Sequence, residues 1–304
     1  MAELLIVGTG ALANLFGFRI ASTGVQVSLM GTWEAGINAV NQRGIRFITE
    51  REEKTCRARA YSDPGQLPAF SKALVLVKSW QTERAGDQLQ QVLSPDGIAL
   101  TLQNGLGNKD ILSHALGAQR TAQGVTTTGA TLLGPGRVRL GGEGVITVEN
   151  HPRIQPLITL LESAGFEVQT TADLKTLIWE KLIVNSAINP LTALLRVPNG
   201  KLLESPAALA VMSAAAEETW QVALSEGVSP RLDSPLEAAV QVARKTAENR
   251  SSMLQDVLRG APTEIDAICG AVVRRGRRKG VPAPVNHTLL NLIQAVIDTK
   301  DLRV

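Results

Sequence analysis

Lys181, Asn185 and Asn189 stand four residues apart in the otherwise apolar segment from Trp179 to Ala193. On a helix that spacing places all three along one side. Polar groups withdrawn from water cost free energy unless something bonds them, so the row needs partners, and a polar small molecule is one. A lysine ammonium can supply a proton or positive charge to an oxygen that becomes an alkoxide, and amides can hold a hydroxyl or a carboxylate. The structural alternative has the lysine snorkelling to solvent and the amides capping loops. Spacing alone leaves both readings open.

A second constellation lies over residues 4–13. The apolar run Leu4-Leu5-Ile6-Val7 reads as a buried strand and passes directly into Gly8-Thr9-Gly10-Ala11-Leu12-Ala13. This is G-x-G-x-x-A between a strand and a helix, the arrangement that binds dinucleotides. The first glycine permits the tight turn, and the second lets backbone approach a pyrophosphate. Ala13 still allows close helix-on-strand packing, and the helix N-terminus offers amides and a favourable dipole to the anion. A turn that uses glycine for packing alone is the other reading of this motif.

These two sites need two kinds of scaffold, and the pattern supplies both. In the first half, strands at residues 4–7, 25–30, 73–77 and 97–101 alternate with helical signals such as 11–23, which predicts a parallel sheet with helices on both faces. Polar segments follow two of these strands: Lys78-Ser79-Trp80-Gln81-Thr82 and Leu102-Gln103-Asn104-Gly105-Leu106-Gly107-Asn108. Ligands bind outside the carboxyl ends of such strands, so these loops are expected to face a cofactor. Residues 124–148 read as short strands, and from about Ile154 the period becomes helical. Helices are expected over 173–195, bent or interrupted at Pro190, then over 207–226, 251–259 and 263–275. Thr263 with Asp266 forms a capping-box pattern that puts Glu264 in the first turn of the last of these. The fold class is α/β: an N-terminal Rossmann-type doubly wound domain over 1–171, followed by a mostly α-helical substrate-binding domain over 172–304.

Composition bounds the function. The 304 residues are 44% hydrophobic and 19% charged, an ordinary globular balance. A net charge of +3 gives no case for nucleic acid, and the basic run from Arg274 to Lys279 reads as a solvated helix end before Gly280 and Pro282. No apolar run approaches the roughly 20 residues of a membrane span, and the first residues show no basic leader, so a cytoplasmic protein without membrane contact is expected. Cys56 and Cys269 match no metal spacing, and His114, His151 and His287 form no ligand pattern, so no metal site is expected. A nicotinamide-binding domain followed by a lysine-bearing helix suggests carbonyl reduction or its reverse. An apolar face of the helical domain leaves a homodimer open.

The blocks Gly8 to Leu12, Lys78 to Thr82, Leu102 to Gly107, Trp179 to Ala193 with Pro198-Asn199-Gly200, and Ser251 to Asp256 with Thr263 to Asp266 are together similar to the ketopantoate reductase (2-dehydropantoate 2-reductase) family. The resemblance extends over almost the whole chain. It implies NADPH-dependent reduction of 2-dehydropantoate to (R)-pantoate, on the way to pantothenate and coenzyme A. It further implies Lys181 as general acid and Glu264 as the carboxylate that orients or recharges it, with a bond to the substrate hydroxyl. Asn104 resembles the residue bridging nicotinamide ribose and substrate. Asn185, Asn189 and Ser252 fall where the family binds the substrate's hydroxyl and carboxylate, with Asn199 near them. Gly8, Thr9, Gly10, Ala11, Leu12 and Ala13, together with Lys78, resemble the cofactor-binding set.

One position departs from the family pattern. Where an arginine commonly meets the 2′-phosphate of NADPH, this chain has Thr32, followed by Trp33 and Glu34. Nor does an Asp favouring NAD end the strand, although Glu34 is close enough to be considered for the ribose hydroxyls, and Lys78 could still meet the phosphate. NADPH is the expected cofactor, with NADH open. Two rival readings share the fold: a reductase of another 2-oxo acid, and a nucleotide sensor without catalysis. The sensor would be expected to lose Lys181 or Glu264, and both are present.

Overall fold

The computed structural model describes residues 3–302. The chain divides into two units, one holding the residues up to Gln103 with Asn108–Leu174, the other Asn104–Gly107 with the chain from Lys175 onward. The first contains β1 (Glu3–Val7), α1 (Ala11–Ala21), β2 (Gln26–Met30), α2 (Glu34–Arg43), β3 (Ile45–Ile48), β4 (Glu53–Cys56), β5 (Arg59–Tyr61) and β6 (Phe70–Val75). It continues with α3 (Thr82–Val92), β7 (Leu93–Thr101), α4 (Asn108–Leu116), β8 (Thr121–Thr126), β9 (Gly129–Gly134), β10 (Arg137–Gly142), β11 (Val145–Glu149), α5 (Gln155–Ser163) and β12 (Glu167–Thr171).

Eight strands form the main sheet in the order β12-β11-β8-β7-β6-β1-β2-β5. From β5 to β8 every pair is parallel, and β11 joins β8 antiparallel. Counting only the parallel core strands in chain order, the sequence across the sheet is 3-2-1-4-5-6, which reverses between β1 and β6 and so creates a crevice at their carboxyl ends. Side chains alternate across the sheet. Leu4 and Ile6 join one core with α1, α2 and α5, while Leu5 and Val7 join another with α3 and α4. A smaller sheet, β4-β3-β10-β9, packs on the α1 side through Ile45 and Val138.

The second unit contains α6 (Leu174–Leu195) from its second residue on, α7 (Pro206–Ser225), α8 (Pro235–Lys245), α9 (Ser252–Leu258), α10 (Cys269–Lys279) and α11 (Pro284–Asp298) around one apolar core that includes Trp179, Ile183, Met212 and Val272. No helix of the described residues is long and apolar enough to cross a membrane.

Several expectations shift in detail. The strand expected at 73–77 spans Phe70–Val75, so Val77 and Lys78 belong to the loop beyond it. Helix α6 runs unbroken through Pro190; the packing of its buried flank outweighs the one backbone bond that proline forgoes. The helix expected over 263–275 starts only at Cys269, because Ile268 adopts a non-helical conformation (φ −99°, ψ −94°). The capping box does not form. Thr263 Oγ1 instead accepts the Ile265 amide, and the Asp266 carboxylate accepts from Gln294. Helix α8 was not anticipated, although Ser234 caps it and Pro235 opens it.

Candidate active site

In the sheet unit, Gly8 has φ +140°, and a Cβ there would lie 3.0 Å from the Leu76 carbonyl oxygen, so only glycine fits. A Cβ on Gly10 would meet nothing within 4 Å, leaving the backbone of the turn open to a ligand. Helix α1 begins at Ala11 without a side-chain cap and without an acid in its first turn, so its N-terminal field is free to favour an anion. Leu12 packs against the core and Ala13 is buried beneath the turn. Thr9 is buried too, and Gly31 leaves room for it: a Cβ on Gly31 would lie 2.9 Å from Thr9 Oγ1.

Asn14 was missed in the sequence. Fully buried, it donates through Nδ2 to the carbonyls of Thr9 and Gly10, both at 2.8 Å, and so pins the glycine turn to the helix. The available signal was its position four residues after Gly10, where a helical side chain can reach back. Thr32 is exposed just before α2, whose first turn carries Glu34. Lys78 is half-buried at the start of the short 3₁₀ turn Ser79–Gln81.

In the helical unit, Lys181, Asn185 and Asn189 lie along α6. Burial draws the pKa of Lys181 down to about 8, opposed by the Glu264 carboxylate, which favours the ammonium. Glu264 is buried in the irregular turn ahead of α10, and its Oε2 accepts from Asn104 Nδ2 at 3.2 Å. The structure therefore gathers Lys181, Glu264 and Asn104 into one cluster. The segment bearing Asn104 is held on that turn by backbone as well, since the Leu106 amide donates to the Ala267 carbonyl at 3.2 Å. Gly105 makes the approach feasible. Its φ is +84°, and a Cβ would come within 2.4 Å of the Ala267 oxygen.

Asn185 is half-buried and Asn189 buried, and neither amide side chain has a hydrogen-bond partner among the described residues. Ser252 is exposed at the first position of α9. The preceding Ser251 is the buried cap, accepting the Leu254 amide at 3.0 Å and lying 2.7 Å from Thr192 of α6. Asn199 is placed differently. Its Nδ2 donates to Thr246 at 2.8 Å and its backbone amide to the Asn249 carbonyl, so it braces the segment after α8 while Oδ1 is buried with no partner among the described residues. The two cysteines stay protonated at neutral pH: burial raises Cys56 to about 11 and moves Cys269 upward as well.

A lysine poised near neutrality beside a carboxylate can give up a proton and regain it, and the adjoining amides can orient an oxygen-rich substrate. The family model described as ketopantoate reductase PanE/ApbA matches residues 4–153, and its C-terminal counterpart matches residues 173–297. A 2-dehydropantoate 2-reductase of Halobacterium salinarum is 36% identical over 299 residues, covering 96% of this chain and 98% of that protein. The crystal structure of a PanE/ApbA family ketopantoate reductase from Ralstonia eutropha superposes with a TM-score of 0.90 at 32% identity, covering 98% of this chain and 99% of the other. D-mandelate dehydrogenase, solved with NADH and anilino(oxo)acetate, has the same fold at 24% identity and a TM-score of 0.90, covering 98% of this chain and 99% of the other. By both family models and by this identity over nearly its full length, the chain belongs to the ketopantoate reductase family.

Proposed function

We propose that the protein reduces 2-dehydropantoate to (R)-pantoate with NADPH, Lys181 acting as general acid. The observation that carries this reading is the lysine whose pKa burial brings to about 8, beside Glu264, in a chain of this family. The open turn at Gly10, the uncapped start of α1 and the Asn14 clamp suit a dinucleotide pyrophosphate, so Gly8 to Ala13 would hold the cofactor with Lys78 as its cation. When bound, a reduced nicotinamide supplies the hydride. Hydride addition at the 2-oxo carbon moves the carbonyl π pair onto oxygen, and the Lys181 ammonium gives that oxygen its proton. Glu264 keeps Lys181 charged until that moment and then favours its reprotonation from solvent. Asn104 would hold Glu264 and the substrate oxygen in register, while Asn185, Asn189 and Ser252 would bind the hydroxyl and carboxylate of the acid.

The test is the initial rate of loss of nicotinamide absorbance with 2-dehydropantoate, NADPH and NADH being compared at matched concentration. Rapid oxidation of NADPH supports the whole reading. A preference for NADH keeps the chemistry and overturns the cofactor assignment, and turnover of other 2-oxo acids alone overturns the substrate.

A further inference from the structure

We infer that Thr82 is a positioning residue of this reaction, the pin that closes the base of the loop carrying Asn104. The residues Asn104–Gly107 belong to the helical unit, yet both flanks, Gln103 and Asn108, belong to the sheet unit. Those flanks meet on one atom. Thr82 Oγ1 accepts from Gln103 Nε2 at 2.9 Å and lies 2.9 Å from Asn108 Oδ1, with the Ser79 carbonyl at 2.7 Å as the other acceptor for its single proton. Gln103 is held at two further points. Its Nε2 donates to the Val77 carbonyl at 3.0 Å, and its Oε1 accepts from Thr101 Oγ1 at 2.8 Å.

Thr82, Thr101, Gln103 and Asn108 are all buried, so each polar group depends on the others rather than on water. The network ties the loop after β6, which carries Lys78, to both stems of the loop after β7. Two strand ends that line the sheet's carboxyl edge thereby become one rigid rim. A loop of four residues whose stems share a single anchor has little freedom, and Asn104 is the first residue past it. Thr82 touches no reacting atom in this scheme. It acts through the place of Asn104, and to that extent the inference rests on the role proposed for Asn104 above.

The test is a double-mutant cycle of Thr82→Val and Asn104→Ala, read together with backbone hydrogen exchange over residues 102–109 in the full-length protein. Thr82→Val should lower kcat about tenfold in the wild-type background and less than about twofold in Asn104→Ala, since a misplaced group that is already absent costs nothing more. Thr82→Ser should restore the wild-type rate, and exchange over 102–109 should quicken in Thr82→Val by about threefold or more while distant segments are unchanged. An equal loss in both backgrounds, or no loss in either, overturns the inference. If Thr82→Val does not fold, Gln103→Glu takes its place in the same cycle. If the wild-type protein turns over no 2-oxo acid, the functional reading fails, and exchange over 102–109 alone then decides whether Thr82 holds the loop.

Discussion

The two units present their candidate ligand-binding groups in opposite ways. In the sheet unit the groups offered to a ligand are mostly backbone: the glycine turn, the free amides at the start of α1, and small side chains that keep out of the way. In the helical unit they are side chains, with a lysine, a glutamate and three amides set on an apolar framework. On the proposed function, backbone presentation fixes where the cofactor lies, and substitutions there should change its affinity. On the proposed mechanism, side-chain presentation supplies protons and orients the reacting carbonyl, and substitutions there should change turnover.

The sharpest test of that division is Lys181→Ala. Loss of the proposed general acid should lower kcat by about 10³-fold while cofactor affinity, measured by titrating nucleotide fluorescence, stays within about twofold. Collapse of affinity with kcat preserved would put Lys181 in the wrong half of the comparison. Gly105→Ala comes next. A methyl group there meets the Ala267 oxygen at 2.4 Å on a backbone with φ +84°, so the turn must move and Asn104 with it. A displacement on the order of 1 Å should cost kcat about 10²-fold with cofactor affinity again retained. Equal losses of kcat and affinity would show that the segment serves both units' ligands.

The same division explains what was legible in the sequence. Local patterns betray the sheet: short apolar runs at Leu4 to Val7 and Ala73 to Val77 mark strands, and glycine spacing marks the turn. Polar residues in apolar surroundings betray the chemistry, which is how Lys181, Asn185 and Asn189 stand out. Neither signal reports backbone that is irregular on purpose. Thr263 to Asp266 imitates a helix start, but the bonds from Ala267 and Ile268 to the Glu264 carbonyl and from Gly270 to that of Ile265 close a wide turn instead, and that turn is what presents Glu264 to Asn104. Asn14 escaped for a related reason, and Thr82 and Asn108, though they lie in the loops expected to face a cofactor, gave no sign of the network they form. Each is an ordinary residue type at a helix start, and its importance lies in carbonyls and amides that only the folded chain brings within reach.

A pH series refines the side-chain half. If Lys181 is the general acid proposed above, reduction needs its ammonium form, so kcat should hold below about pH 8 and fall above it. Glu264 raises the lysine's pKa against the effect of burial, so Glu264→Gln should move that limb to lower pH. A limb that stays in place would mean the carboxylate does not act through Lys181. On the backbone side, Asn14→Ala strips the Thr9 and Gly10 carbonyls of their shared donor. The turn should loosen and the KM for the cofactor rise by about tenfold, with kcat at saturation changed by less than about twofold.

The smallest expected effect tests a place where the two modes of presentation ought to mix. A 2′-phosphate is bound best by a side-chain cation, yet the position after β2 where the family commonly has arginine is the exposed Thr32, with Glu34 in the first turn of α2. Thr32→Arg would set a guanidinium in solvent beside that carboxylate, which competes with the phosphate for it. An exposed pairing of this kind is worth at most about 1 kcal/mol, so the KM for NADPH should fall about threefold while that for NADH stays level. Kinetics with both nucleotides read the difference directly. A fall for NADPH alone places the 2′-phosphate at the end of β2. No change would turn the question to Lys78, beyond β6 on the other side of β1, where Lys78→Ala should then raise the KM for NADPH more than that for NADH if that lysine meets the phosphate.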